Sequence, residues 1–130
     1  MKLSLLVLNP VFAICTLERG APLPEWALSS DFFSITRTYD ELSIVCLQES
    51  IPQDVKINKG WRCLKVQGPL GFDIVGILAS LSLPLASEGV SIFVLSSYDT
   101  DYIMVKNYDL DKAIEVLRKD GHSVEQQAAQ

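Results

Sequence analysis

Two short clusters in this chain combine groups that can hold a zwitterion without breaking a bond. The first is Gly71-Phe72-Asp73-Ile74, directly ahead of an apolar run with helical spacing. A helix start exposes unpaired N–H groups and the positive end of the helix dipole, which suit a carboxylate. The second is Ser96-Ser97-Tyr98-Asp99-Thr100-Asp101, a polar break between two apolar runs. It offers a hydroxyl at Ser97, a ring at Tyr98 and an acid at Asp101. Asp101, or Asp73, can answer an ammonium group through charge-assisted hydrogen bonds. Tyr98 and Phe72 can supply apolar walls, and a cation can stack on a ring. Each residue also has a plain structural reading. Asp73 suits a helix N-cap, and Asp99 and Asp101 suit a hairpin turn. Tyr98 suits a half-buried sheet position, and Gly71 a special backbone angle. One Asp-x-Asp pair brings too few ligands for a divalent ion, so no metal or cofactor is expected.

Catalytic chemistry has little to work with. The one histidine, His122, lies near the C-terminus, where a solvated role is expected. No serine or cysteine sits in a nucleophile-elbow motif. Neither a G-x-G-x-x-G nor a Walker A loop is present. For an acylphosphatase-like phosphate cradle, Arg37 and Asn58 qualify by residue type alone, and a small hydrolase is the least favoured reading. A non-enzyme is expected.

Charge narrows the partners. The net charge is −5 with no basic stripe, which disfavours nucleic acid. Cys15, Cys46 and Cys63 are odd in number and without C-x-x-C spacing, so buried thiols in a reducing compartment are expected. Residues 2–8 are apolar, but Asn9-Pro10 interrupts them and no A-x-A site follows. No run reaches the ~18 apolar residues of a membrane span. The expectation is a cytoplasmic protein with no membrane contact.

The elements that position the two clusters follow from periodicity. Residues 62–66 form a short strand ended by Gly68-Pro69. Apolar Ile74, Ile77, Leu78, Leu81 and Leu85 mark one helix face from Asp73, stopped by Pro84 and Gly89. Residues 90–95 and 102–106 read as a hairpin. A second helix has Asp109 as N-cap, Leu110, Ala113, Ile114 and Leu117 as its apolar face, and Gly121 as C-cap. A short strand near Ser123-Val124 completes a split βαβ plan. In the first half, 2–8 and 11–17 read as strands, Pro22 to Trp26 as a short helical turn, and 32–38 with 42–47 as a hairpin. Residues 49–59 read as a linker.

The chain also echoes itself. Residues 33–46 align without gaps on 92–105, Tyr39-Asp40 falling on Tyr98-Asp99 at an offset of 98 − 39 = 59. The same offset carries Leu5, Val7 and Pro10 onto Leu64, Val66 and Pro69. A duplicated module of about 60 residues explains both anchors.

Gly68-Pro69-Leu70-Gly71-Phe72-Asp73 before a helix, with 96–101 inside a hairpin, resembles the ACT domain. More narrowly, the chain resembles small bacterial tandem-ACT proteins related to the eukaryotic cytosolic arginine sensor. Trp26-Ala27-Leu28, 32–36 and 41–45 fit the same group, and the similarity covers roughly residues 2–120. The resemblance implies an α+β fold of two ferredoxin-like (ACT-type, βαββαβ) modules packed in tandem. Expected boundaries are 1–58 and 59–124, with 125–130 a flexible tail. It implies a non-catalytic, regulatory amino-acid sensor, with a small-molecule amino acid as ligand, a possible effector protein and a homo-oligomeric state. Gly71, Phe72 and Asp73 would then form the carboxylate side of the site, with Ser97, Tyr98 and Asp101 opposite. Ile74 stands where the sensor would carry a second acid, which leaves arginine itself open. The alternative is an interaction module, or a regulatory subunit of an amino-acid metabolic enzyme, with no ligand of its own.

Overall fold

A computed structural model describes residues 1–68 and 75–129. Gly71, Phe72, Asp73 and Ile74 lie outside the described residues, as does the expected helix start at Asp73. The strands are β1 (Ser4–Val7), β2 (Phe12–Leu17), β3 (Ser34–Arg37), β4 (Leu42–Leu47), β5 (Lys56–Val66), β6 (Ile92–Ser96), β7 (Asp101–Lys106) and β8 (Ser123–Gln126). The helices are α1 (Ile77–Ser87) and α2 (Leu110–Lys119). Short 3-10 turns span Glu25–Ala27, Gln48–Ser50 and Asn107–Asp109. The chain divides into two compact units, Met1–Asn9 with Arg62–Gln130, and Pro10–Trp61.

The Pro10–Trp61 unit orders its strands β3-β4-β2-β5, all neighbours antiparallel. That is the ferredoxin-like order, with 3-10 turns at the two positions where helices would stand. Trp26 and Ala27 lie in the first of these turns, which packs its buried Ala27 against Cys15, Leu42, Ile44 and Cys46. Residues 56–59, expected within a linker, are strand. Ile57 opposite Cys15 gives them an apolar face, and the ladder to β2 gives them hydrogen bonds.

The other unit follows the order β8-β1-β5-β7-β6. The expected strand–helix–strand–strand–helix–strand run is present from β5 to β8. β1 inserts between β8 and β5, antiparallel to β5 (Leu5↔Val66, Val7↔Leu64) and parallel to β8. The N-terminal part of the echo is therefore one of partners, paired crosswise: Leu5 lies opposite Val66 and Val7 opposite Leu64. Residues 1–9 find both of their strand partners far along the chain. Residues 125–128 are held by pairing and hydrogen bonds. Glu125 and Gln126 pair with Leu6 and Val7. Gln127 donates its N–H to Val7 O at 2.9 Å, and Asn9 Nδ2 donates to Ala128 O at 3.0 Å.

Both helices lay a predicted face on this sheet. Leu81 and Leu85 of α1 and Leu110, Ala113 and Leu117 of α2 are buried in one cluster with Leu64, Val66, Ile103 and Val105, and Ile77 of α1 is also buried. Each large side chain so buried stabilises by about 1.5–3 kcal/mol. Asp109 occupies the N-cap position of α2, though without a side-chain cap bond. α2 ends as predicted at Gly121, whose φ of +96° closes a Schellman turn. Gly121 N–H reaches Arg118 O and His122 N–H reaches Leu117 O.

That turn drives His122 inward, contrary to the solvated role expected from its position. Its side chain is enclosed. Nδ1 accepts the Leu3 N–H at 3.1 Å, which leaves Nε2 as the proton-bearing nitrogen, 3.2 Å from Ser80 O. Pro84 does not stop α1 but sits inside it. A proline has no N–H for the carbonyl four residues back, and that carbonyl is Ser80 O. The imidazole replaces the missing helix donor.

Candidate functional site

The β6–β7 hairpin builds the second cluster. Its register runs from Ile92↔Val105 to Ser96↔Asp101, and Ser97 N–H closes the turn on Thr100 O at 2.9 Å. Tyr98 and Asp99 are thus the two central residues of a tight turn. Tyr98 is 81% exposed, so the half-buried sheet role does not apply. Ser97 Oγ donates to Thr100 O at 3.2 Å and accepts Thr100 N–H at 3.4 Å. The Ser97 hydroxyl shapes the turn from within.

Asp101 is oriented rather than loose. Ser96 Oγ donates to Asp101 Oδ1 at 2.6 Å across the hairpin mouth. A carboxylate has about four lone-pair positions, so one such bond fixes the group and leaves acceptor capacity for an ammonium donor.

Thr100 was missed by the sequence reading. Among the described residues it is one of two buried polar side chains, at 4% exposure, and its Oγ1 donates to Val66 O at 2.6 Å. Val66 ends β5, three positions before residue 69. The hydroxyl therefore pins the hairpin turn to the strand end from which the Gly71-Phe72-Asp73 segment departs. A threonine in a polar turn carries no local sign of this, because its partner lies 34 residues away.

The residues weighed for phosphate chemistry are engaged elsewhere. Arg37 donates to the carbonyls of Arg19 and Ala21, and Asn58 Oδ1 accepts Trp61 Nε1–H at 3.3 Å. The three cysteines are buried free thiols. Burial pushes Cys63 up to about 12. Burial, then the neighbouring Cys15, pushes Cys46 up to about 11, and burial raises Cys15. Such thiols are neutral and poor nucleophiles at neutral pH. Among the described residues no three His, Cys, Asp or Glu side chains gather as metal ligands, and no helix is long and apolar enough to cross a membrane. A surface groove of about 450 Å³ lies along Asp111, Ile114, Glu115, Arg118 and Gln126, away from the hairpin turn.

An ACT domain family model matches residues 56–119, and a second model, described as an N-terminal domain, matches residues 11–54. The human protein named cytosolic arginine sensor for mTORC1 subunit 1 is 31% identical over 110 residues, 78% of this chain and 33% of that protein. The chain thus spans about a third of the length of the curated relatives it matches. A crystal structure of an Agobacterium tumefaciens protein is 43% identical, with a TM-score of 0.94 over 99% of this chain and 96% of that one. The regulatory subunit of aspartate kinase from Thermus thermophilus shares the fold, with a TM-score of 0.61 at 10% identity, over 86% of this chain and 93% of that one. The ACT match runs from the start of β5 to the end of α2, and this region of the chain belongs to the ACT-domain family.

Proposed function

We propose that the chain is a non-catalytic, cytosolic regulatory protein that binds a free amino acid at the β6–β7 turn. The observation that carries this reading is the pre-oriented Asp101 carboxylate, held by Ser96 in a turn that Thr100 pins to the end of β5. An acid fixed in advance spends less of its binding free energy on ordering. Asp101 takes the ligand ammonium, with Tyr98 and Ser97 beside it. Gly71, Phe72 and Asp73 take the carboxylate, with Ile74 lining that side. The arginine sensor among its relatives and the ACT family membership support the ligand class. Ligand is reported through self-association or an effector protein, to the extent that it binds one state better.

Thermal stabilisation against the free amino acids and their close relatives tests this. Ligand at about 100 times its dissociation constant adds roughly 2.7 kcal/mol, a shift of several degrees for a domain of this size. Asp101→Ala should then remove the shift caused by the hit while leaving the unliganded melting temperature within about 3 °C. No stabilisation by any amino acid, or an Asp101→Ala protein that binds as the parent does, refutes the assignment.

A further inference from the structure

β8 stands at the end of the sheet order, with β1 as its neighbour among the described residues. Ser123 N–H reaches Leu3 O and Gln127 N–H reaches Val7 O. Alternation therefore turns the N–H and C=O of Val124 and Gln126 away from β1. One of these groups is taken, because Arg118 Nη2 donates to Val124 O at 2.6 Å. Both N–H groups and Gln126 O stay open to an incoming strand. Beside them lies the groove of about 450 Å³ bounded by Asp111, Ile114, Glu115, Arg118 and Gln126.

Helical spacing sets the charge of this groove. Asp111, Ile114, Glu115 and Arg118 stand at i, i+3, i+4 and i+7, on one face of α2. Arg118 is three residues from Glu115, a spacing that permits an ion pair, yet its guanidinium is held on β8. Among the described residues neither Asp111 nor Glu115 has a cationic partner. Lys112 and Lys119 are about a quarter turn off this face. The groove therefore carries two unneutralised acids beside the partly buried Ile114.

We propose that the β8 edge binds an extended, basic segment of a partner protein, added to the sheet as a further strand. The Gly121 turn sets α2 and β8 side by side, with Leu117 and Val124 in one cluster. Asp111 and Glu115 are about 6 Å apart along α2. Alternate side chains of a strand share a face at about 7 Å. Two lysine or arginine side chains in alternate positions thus meet the two acids while the strand backbone takes the open groups of Val124 and Gln126. Their aliphatic stems cover Ile114. Charge favours such a partner over a second copy. Two chains of −5 joined at this edge would set Asp111, Glu115 and Glu125 of one against the same acids of the other.

The segment gives a chemistry to the effector protein of the reading above, but its binding needs no amino acid. The titration is run without one, so the two can fail separately. The probe is a fluorescently labelled peptide of about ten residues, alternating lysine with threonine, added to the full chain and followed by anisotropy. A peptide alternating glutamate with threonine should bind at least ~10-fold more weakly. Gln126→Pro removes an outward N–H at a sheet edge, where proline is tolerated, and should weaken the lysine peptide at least ~10-fold. Asp111→Asn with Glu115→Gln alters exposed side chains only and should weaken it at least ~5-fold. The amide resonances of Val124 and Gln126 should shift on binding. A lysine peptide that binds no tighter than the glutamate one, or not at all at about 1 mM, overturns the proposal. So does binding that the acid-pair variant keeps in full, or that leaves those two amides unmoved.

Discussion

The contact between His122, Ser80 and Pro84 can be tested as a closed thermodynamic cycle. His122 has a side chain with no exposure, accepting from Leu3 N–H at 3.1 Å and donating to Ser80 O at 3.2 Å. Replacement by alanine strands a part-buried donor at Leu3, just ahead of β1, and a part-buried acceptor on α1, each costing about 1–3 kcal/mol. With the cavity left by the ring, the total is about 3–5 kcal/mol, against a whole stability of about 5–15 kcal/mol. Pro84→Ala changes the account at one atom. Residue 84 regains an N–H, and the helix supplies the donor that Ser80 O lacks. In that background His122→Ala strands only the Leu3 N–H, so its cost should fall by at least ~1 kcal/mol. Urea unfolding of the parent, both single variants and the double variant, followed by far-ultraviolet circular dichroism, gives the coupling directly. Costs that add within about 0.5 kcal/mol would refute the idea that the imidazole stands in for the helix donor.

Two further outcomes are expected. Thr100→Val, which keeps shape and loses the bond to Val66 O, should cost about 1–2 kcal/mol by urea unfolding and weaken any amino-acid hit. Thr100→Ser should keep most of both, and an equal loss in Thr100→Ser would show that the methyl group matters more than the hydroxyl. The folded-state pKa values of Cys46 and Cys63, about 11 and about 12, lie above the ordinary value of 9.0. For an acid raised in the folded state, stability is fully present below the unfolded pKa and lost as pH rises through the folded one. The urea midpoint should therefore decline from about pH 9 upwards, and an aromatic disulfide reagent at pH 8 should label three thiols only after unfolding. Rapid labelling of the native protein would contradict the burial of these groups.

What was legible in the residues was local. The hairpin echo is structural as well as sequential. Adding 59 to the bounds of β4 gives those of β7, and adding 59 to Gln48–Ser50 gives Asn107–Asp109. Alternation, the i, i+3, i+4 faces of α1 and α2, and glycine at the end of α2 all express preferences of a few neighbouring residues. Those preferences act before any tertiary contact forms, so the ACT plan of the β5-to-β8 unit could be read directly. The turn that carries Ser97, Tyr98 and Asp101 was legible for the same reason, since a polar break in a hairpin announces itself, whereas their proposed role rests on the family resemblance.

Tertiary structure alone decided which strand took which partner and which polar groups went inside. Any apolar strand can add to any open edge, and β1 joins β5 and β8 because burying Leu5 and Val7 there completes the core around Leu64 and Val66. That gain comes from contacts more than fifty residues apart, on which local periodicity is silent. The same holds for Thr100, whose hydroxyl matters through a carbonyl on β5. It holds for Pro84 and His122, read singly as a helix stop and a solvated side chain. Brought together across the fold, each supplies what the other's backbone or ring requires, and an unmet hydrogen bond in a buried site costs more than either local preference.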